Sequence, residues 1–343
     1  MPGVKAGGAL RPGWRARVPD YPRAMAWTPS GDLLLVLDAV GGLHAFDGAT
    51  GAVRWHRPDA HPGGGLAMSH HPRSPRLATG GHDGAVVTWD TQRGEPEKRW
   101  ELGRAWVEHV SWSPDGGWLA AAAGRAVHAW SAEGQEWVAP VHPSTVSGLL
   151  WAGPHELATA CYGRVAFWKP LGDTPTQALE WKGAPVSLAV SPDGAVVAAG
   201  GQDQTVHFWR RASGADSAMS GYATKPAALA FDASGTLLAT SGSEVVTVWT
   251  FAGEGPEGTT PGRLAVHTLP VTALAFARRE RVLASGGREG GVVLWRLDAA
   301  GDGAPVGGDV VQGAVAELAW RHDDRALAAT DAEGGVTTWR VSR

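Results

Sequence analysis

Short runs of alternating or wholly apolar residues, each cut off by turn chemistry, follow one another along the whole chain. An alternating stretch ending in a tight turn opens each unit: AMAWTPSGD (24–32), HVSWSPDGG (109–117), SLAVSPDGA (187–195) and ALAFDASGT (228–236). Proline presets φ and glycine accepts φ > 0, so Pro-Asp-Gly and Pro-Ser-Gly predict a reversal between two strands. The next run is apolar and small, then comes a Gly-Gly or Asp-Gly pair suited to a hairpin, then a strand closing on an aromatic residue. No stretch sustains a helical period. The pattern predicts an all-β chain.

The unit repeats. LATGGHDGAVVTWD (77–90) recurs as VAAGGQDQTVHFW (197–209), LASGGREGGVVLW (283–295) and LAATDAEGGVTTW (327–339). Weaker copies are LAAAAGRAVHAW (119–130), LATACYGRVAFW (157–168), LATSGSEVVTVW (238–249) and LVLDAVGGLHAF (35–46). The closing aromatics are Phe46, Trp89, Trp130, Trp168, Trp209, Trp249, Trp295 and Trp339, at gaps of 43, 41, 38, 41, 40, 46 and 44 residues. That period is the ~40–45 residues of a four-stranded propeller blade. Eight copies predict an eight-bladed β-propeller, or seven blades if the divergent copy ending at Phe46 is not one. Outer strands after the closing aromatics are expected to carry Trp55, Trp100, Trp137 and Trp181.

The last copy leaves four residues after Trp339, too few for an outer strand. The segment GWRARV (13–18), with Trp14 resembling Trp55 and Trp100, is expected to supply it, making residues 1–343 one propeller domain. Such an arrangement removes a strand edge that would otherwise template aggregation.

Composition narrows the function classes. Tryptophan (18) and glycine (48) are abundant, 43% of residues are hydrophobic and 19% are charged, as expected of a folded, soluble chain. A net charge of −4 argues against a nucleic-acid partner. No apolar run approaches the ~18 residues of a membrane helix, and Met1–Leu10 lacks the apolar core of a signal peptide. A single cysteine, Cys161, excludes an intramolecular disulfide framework and a multi-cysteine zinc site. A cytoplasmic, monomeric protein is expected, and the Ala, Gly and Arg richness suggests a bacterial source.

With these repeats the chain resembles the WD40 family over nearly its whole length, although Trp-Asp itself stands only at Trp89–Asp90. The resemblance implies a hydrogen-bonded tetrad of His61, Thr79, Asp83 and Trp89, and a second of His267, Ser285, Glu289 and Trp295. Elsewhere the set is broken: the fourth copy keeps His142 and Thr159 but has Tyr162, and the fifth has Trp181, Ala199 and Asp203. A His, a hydroxyl and an acid suggest a nucleophile, but a hydroxyl tied to an indole inside a blade is structural. No catalytic residue is assigned.

The remaining candidates read as structure. Thirteen histidines offer no ligand spacing, His61, His70, His71 and His82 falling at different heights of a blade, so no metal and no cofactor are expected. His44, His128 and His207 share one place, two residues before the closing aromatic, in three blades. Gly80–Gly81, Gly200–Gly201 and Gly286–Gly287 are hairpin glycines without the strand-to-helix context of a phosphate loop. Gly301–Asp309 reads as a loop joining blades, and Cys161 as a small core residue.

The family resemblance places binding on the loops between strands d and a and the turns between b and c. Position by position these are Tyr21, Arg23, His82, Trp106, Glu108, Thr145, Ser147, Tyr162, Gln202, Lys225, Pro270, Thr272 and Arg288. The mixture of aromatic, arginine and hydroxyl residues suits a protein or peptide partner. A non-catalytic interaction scaffold is the expected function, with a small-ligand or metal-binding propeller as the alternative.

Overall fold

A computed structural model describes residues 7–253 and 255–342. Eight antiparallel sheets form the blades of a propeller, and the described residues contain no helix. Blade 1 covers residues 22–57, blade 2 65–101, blade 3 107–138, blade 4 146–180, blade 5 185–219, blade 6 229–265 and blade 7 271–310. Blade 8 combines residues 315–341 with the strand Leu10–Arg17. Strands are lettered a to d across each blade. Blades 1 to 4 (Val18–Pro185) make one compact unit, and blades 5 to 8 with Leu10–Arg17 make another.

The copy ending at Phe46 forms a complete sheet, so eight blades is the correct count. The b strands explain why alternation fades from the sequence there. Leu33–Asp38, Val282–Gly287 and Ala326–Asp331 are buried at every position, because sheets covered on both faces need continuous apolar or small residues. Outer strands face solvent instead: in Glu95–Glu101 only Trp100 is partly covered. The cores lie between neighbouring blades. Leu33, Leu35, Leu37 and Leu43 of blade 1 pack with Leu77, Val87 and Trp89 of blade 2, and Ala122, Val127 and Trp137 of blade 3 pack with Trp151, Leu157 and Trp168 of blade 4.

The a–b reversals are held locally. In blade 3, Ser113 Oγ donates to Asp115 (2.6 Å) and accepts from Trp118 N (2.9 Å), while Gly116 takes φ +75°. Ser191, Asp193 and Gly194 repeat this in blade 5. At the other end of strand a, the register with strand b slips at the second position of blades 1, 2, 3, 4, 7 and 8. These bulges re-aim one side chain each, among them Arg23, Glu108, Ser147 and Thr272.

Three expectations change. The strand completing blade 8 is Leu10–Arg17, longer than residues 13–18 at its start, because Leu10 is buried in the core between blades 7 and 8. It pairs with Gly335–Val341 from Leu10↔Val341 to Arg17↔Gly335, and Trp14 N donates to Thr338 Oγ1 (3.0 Å). The segment read as the loop Gly301–Asp309 is mostly strand: Gly303–Val310 is the outer strand of blade 7, and Gly7–Gly8 pairs on its far edge as a fifth strand. Ladder hydrogen bonds use backbone alone, so a glycine-rich run closes a sheet without an apolar signature. Trp181 lies just past the outer strand Gln177–Glu180, where its backbone N–H donates to Gly163 O (2.9 Å).

Candidate interaction surface

In blades 1 to 4, the end where strand a begins and strand b finishes is a linked run of backbone with aromatic residues on it. His61 N donates to Gly41 O (3.1 Å), Gly64 N to His61 O (3.0 Å) and His82 N to Gly64 O (2.9 Å). Gly64 holds φ +132°, and a Cβ there would meet Ala39 O at 2.6 Å, so the loop closes only with glycine. His82 Nδ1–H donates to Gly63 O (2.6 Å), which fixes its ring 4.4 Å from that of Trp106. Trp106 is nevertheless 54% exposed. Val40, Val141, Tyr21 and Tyr162 are exposed at the same end of these blades.

The other expected positions differ in availability. Arg23, Glu108 and Thr145 are exposed, while Ser147 is half-buried and its hydroxyl has no partner. In blades 5 to 8, Gln202, Lys225 and Arg288 are exposed. Thr272 is committed to the fold, its hydroxyl donating to Val315 O (2.6 Å), and Pro270 O accepts from Arg288 N (3.0 Å).

The groups that look chemical are closed on themselves. His61 Nδ1–H donates to Asp83 (2.9 Å), Thr79 O–H to His61 Nε2 (2.7 Å) and Trp89 Nε1–H to Thr79 Oγ1 (2.8 Å). Burial pushes the Asp83 carboxyl up, but hydrogen bonds from His61 and from Arg99 (2.8 Å) outweigh it and bring its pKa to about 2. His61 and Thr79 are wholly buried. A hydroxyl that has no access to solvent and is held by an indole cannot attack a substrate. In blade 7, His267 meets Glu289 (2.5 Å) and Ser285 (2.7 Å), and Trp295 Nε1–H donates to Ser285 (2.8 Å).

Blade 4 has three quarters of the set. Thr159 links His142 Nε2 and Trp168 Nε1, each at 2.9 Å, but Tyr162 points away into solvent and His142 Nδ1 is buried without a partner. Burial, with the nearby Arg164 charge, lowers the His142 pKa to about 4.

Sequence reasoning missed three relatives of this network. In blade 6, Tyr222 replaces the histidine: its hydroxyl lies 2.8 Å from Thr240 Oγ1 and accepts from Trp249 Nε1–H (2.9 Å). The signal was available, since Tyr222 precedes Thr240 by 18 residues, the spacing of His61 to Thr79. In blade 8, Trp339 Nε1–H donates to Asp309 Oδ2 (2.7 Å) on the outer strand of blade 7, within the segment read as a loop. In blade 1, the buried Asp38 accepts from His44 (2.8 Å) and Gly42 N (2.7 Å), and His56 stacks on His44 at 4.2 Å. Among the described residues no group of three His, Cys, Asp or Glu side chains is placed to hold a metal.

Tyr222→Phe is expected to destabilise the protein by about 2 kcal/mol, because it strands the half-buried Trp249 N–H and removes the buried hydrogen bond with Thr240. Tyr162→Phe, at an exposed ring, should cost less than about 0.5 kcal/mol. Urea unfolding of both variants beside wild type tests the pair. Equal effects would show that the Tyr222 hydroxyl does not replace the histidine.

The WD domain, G-beta repeat profile matches residues 56–90, 96–131, 174–210 and 258–296. Protein FIZZY-RELATED 3 of Arabidopsis thaliana is 27% identical over 155 residues, which cover 42% of this chain and 32% of that protein. The WD repeat-containing protein srw1 of Schizosaccharomyces pombe is 28% identical over 144 residues, 39% of this chain and 26% of that protein. The match thus spans about a third or less of the length of these relatives. Among solved structures, the computationally designed Ika8 protein superposes with a TM-score of 0.80 at 20% identity, over 98% of this chain and all of that one, a likeness of fold.

Proposed function

We propose that this chain, an eight-bladed propeller in which four segments match the WD40 repeat, is a non-catalytic scaffold that holds a protein or peptide partner. The partner docks on the loop end of blades 1 to 4, with Trp106 as its anchor. One observation carries this reading: a large indole is fixed by a neighbouring ring that is itself hydrogen-bonded, yet half of it remains in solvent. Tryptophan loses little conformational freedom on binding when it is held in advance, and it dominates interface energetics. Exposed Val40, Val141 and Tyr162 at the same end of these blades extend the apolar area. The similarity to proteins named for WD repeats supports an interaction role and leaves the partner's identity to experiment.

The test is a quantitative affinity purification from the native host with wild type, Trp106→Ala and Leu171→Ala as baits. Leu171 is similarly exposed but lies in a c–d turn at the opposite end of blade 4. A specific partner should fall at least about 10-fold with Trp106→Ala, as hot-spot truncation predicts, and should persist with Leu171→Ala. Equal recovery by all three baits, or no specific partner of the wild type, would overturn the reading.

A further inference from the structure

Neighbouring blades are tied by indole N–H groups that reach across to a backbone carbonyl. Trp55 of blade 1 donates to Thr91 O (2.8 Å) and Trp137 of blade 3 to Gly172 O (2.8 Å), each reaching the c–d turn of the next blade. Trp151 of blade 4 donates back to Ser111 O (2.9 Å) and Trp320 of blade 8 to Ala275 O (3.0 Å), each reaching strand a of the preceding blade. At the junction of blades 2 and 3, Trp112 holds the strand-a place of Trp151 and Trp320, while the strand-d place of Trp55 and Trp137 is taken by Lys98, with Trp100 two residues farther along. No link is made from either strand: Lys98 has no indole to donate, and the Trp112 and Trp100 indole nitrogens are both buried without a partner.

The cause is local. Blade 2 has His71 where blades 3 and 5 have Ser113 and Ser191, the residue that opens the a–b turn, and Pro72-Arg73-Ser74 in place of Pro-Asp-Gly. His71 accepts from Arg73 N (3.1 Å) and Ser74 N (3.0 Å), lies so close over Gly116 that a Cβ there would meet its ring at 2.4 Å, and holds Trp112 edge-on at 4.8 Å. Trp100 instead stacks on Trp130 at 4.5 Å. At this unlinked junction a cleft of about 350 Å³ opens, walled by Trp100, Trp112, Trp130, Leu119 and His71. Its size falls in the range of small-molecule sites, ~300–1,000 Å³.

The polar groups of this cleft are unequal. Arg76 is neutralised by Glu97 (3.0 Å). Lys98 forms no ion pair among the described residues; its ammonium rests 4.5 Å above the Trp100 ring. The cleft thus has an exposed ammonium at its edge beside aromatic walls, in which two indole N–H groups are buried without acceptors. Glu136 also lines the cleft and disfavours a doubly charged anion.

We propose that the cleft between blades 2 and 3 binds a small ligand with an apolar, ring-bearing body and a single carboxylate, the carboxylate pairing with Lys98 and the body lying against the tryptophans. This site lies at the end of the blades away from the Trp106 surface and stands independently of the scaffold reading. A cationic ligand would have to displace Lys98 from the only ring face it covers, and a phosphate would meet Glu136.

Isothermal titration of the full chain with 1-naphthoate, 1-naphthalenemethanol and inorganic phosphate tests the assignment, in wild type, Lys98→Met and Glu136→Gln. Naphthoate should bind wild type at least about 10-fold more tightly than the alcohol, the scale of one charge-assisted hydrogen bond. Lys98→Met should abolish that preference while leaving the alcohol's affinity within about twofold, because methionine keeps the stem of the side chain. Glu136→Gln should tighten naphthoate. Absence of naphthoate binding, a carboxylate preference that survives Lys98→Met, or phosphate binding more tightly than naphthoate would each overturn the proposal.

Discussion

Removing residues 1–17 is expected to lower the melting temperature by more than about 10 °C, or to leave the protein aggregating on expression. Blade 8 would lose its outer strand, exposing the ladder edge of Gly335–Val341. Leu10, 1% exposed in the core between blades 7 and 8, would leave a void there; deleting such a side chain alone costs about 2–5 kcal/mol. Loss of the pairing from Leu10↔Val341 to Arg17↔Gly335 adds roughly 0.5–1.5 kcal/mol per hydrogen bond. For a chain of this size 1 kcal/mol moves the melting temperature by about 2–4 °C or less. Calorimetry of the truncated and full chains decides it, and an unchanged transition would show that the strand contributes little.

Acid should unfold the protein in two stages. Burial lowers the His70 pKa from 6.5 to about 4, with the neighbouring His71 charge acting in the same direction, and burial lowers His142 likewise. Between pH 6.5 and 4 the unfolded chain takes up protons that the folded chain refuses. Stability is therefore full above pH 6.5 and falls as pH drops toward 4, by about 3 kcal/mol for each histidine, since one pKa unit corresponds to about 1.4 kcal/mol. Asp32, Asp83 and Asp323 are held near 2 by their hydrogen bonds against the opposing push of burial, so their contribution persists until the pH falls below 3.8 and is lost toward 2. Urea unfolding measured from pH 7.5 to 4.5 should show the first stage. His142→Gln, which keeps a hydrogen-bonding group but cannot titrate, should reduce the slope, the remainder coming from His70 and from His56, His71, His109 and His128, whose pKa values burial also lowers. An undiminished slope in that variant would assign the first stage to other groups.

The eight-blade fold was legible because its signals are periodic and redundant. Turn residues such as Ser113, Asp115 and Gly116 act within a few positions of one another, and His61 and Thr79 recur at a spacing that other blades share. Features that depend on the backbone alone, or on which rotamer wins, left no such trace. The strand Gly303–Val310 pairs through its main chain, so its glycines read as a loop. Tyr222 does the work of a histidine through an oxygen at the end of a longer side chain. At the candidate surface, the sequence places Trp106 and His82 in loops, but their contact follows from the Gly63 carbonyl that orients the His82 ring. The missing link of Trp112 depends on where one ring, His71, comes to rest.

The shared blade also imposes an order in time. Trp14 and Thr338, joined by hydrogen bonds, are 324 residues apart in sequence. During synthesis at about 5–20 residues per second, the strand Leu10–Arg17 is made before the rest of the propeller and waits tens of seconds for Gly335–Val341 to emerge. It waits as an unpaired edge, the state most open to wrong partners. Its own sequence guards that interval: Arg11, Arg15 and Arg17 are exposed along it, and Pro12 withholds one backbone donor. The arginines that contribute little to the finished blade thus keep its last piece unattached until the chain is complete enough to receive it.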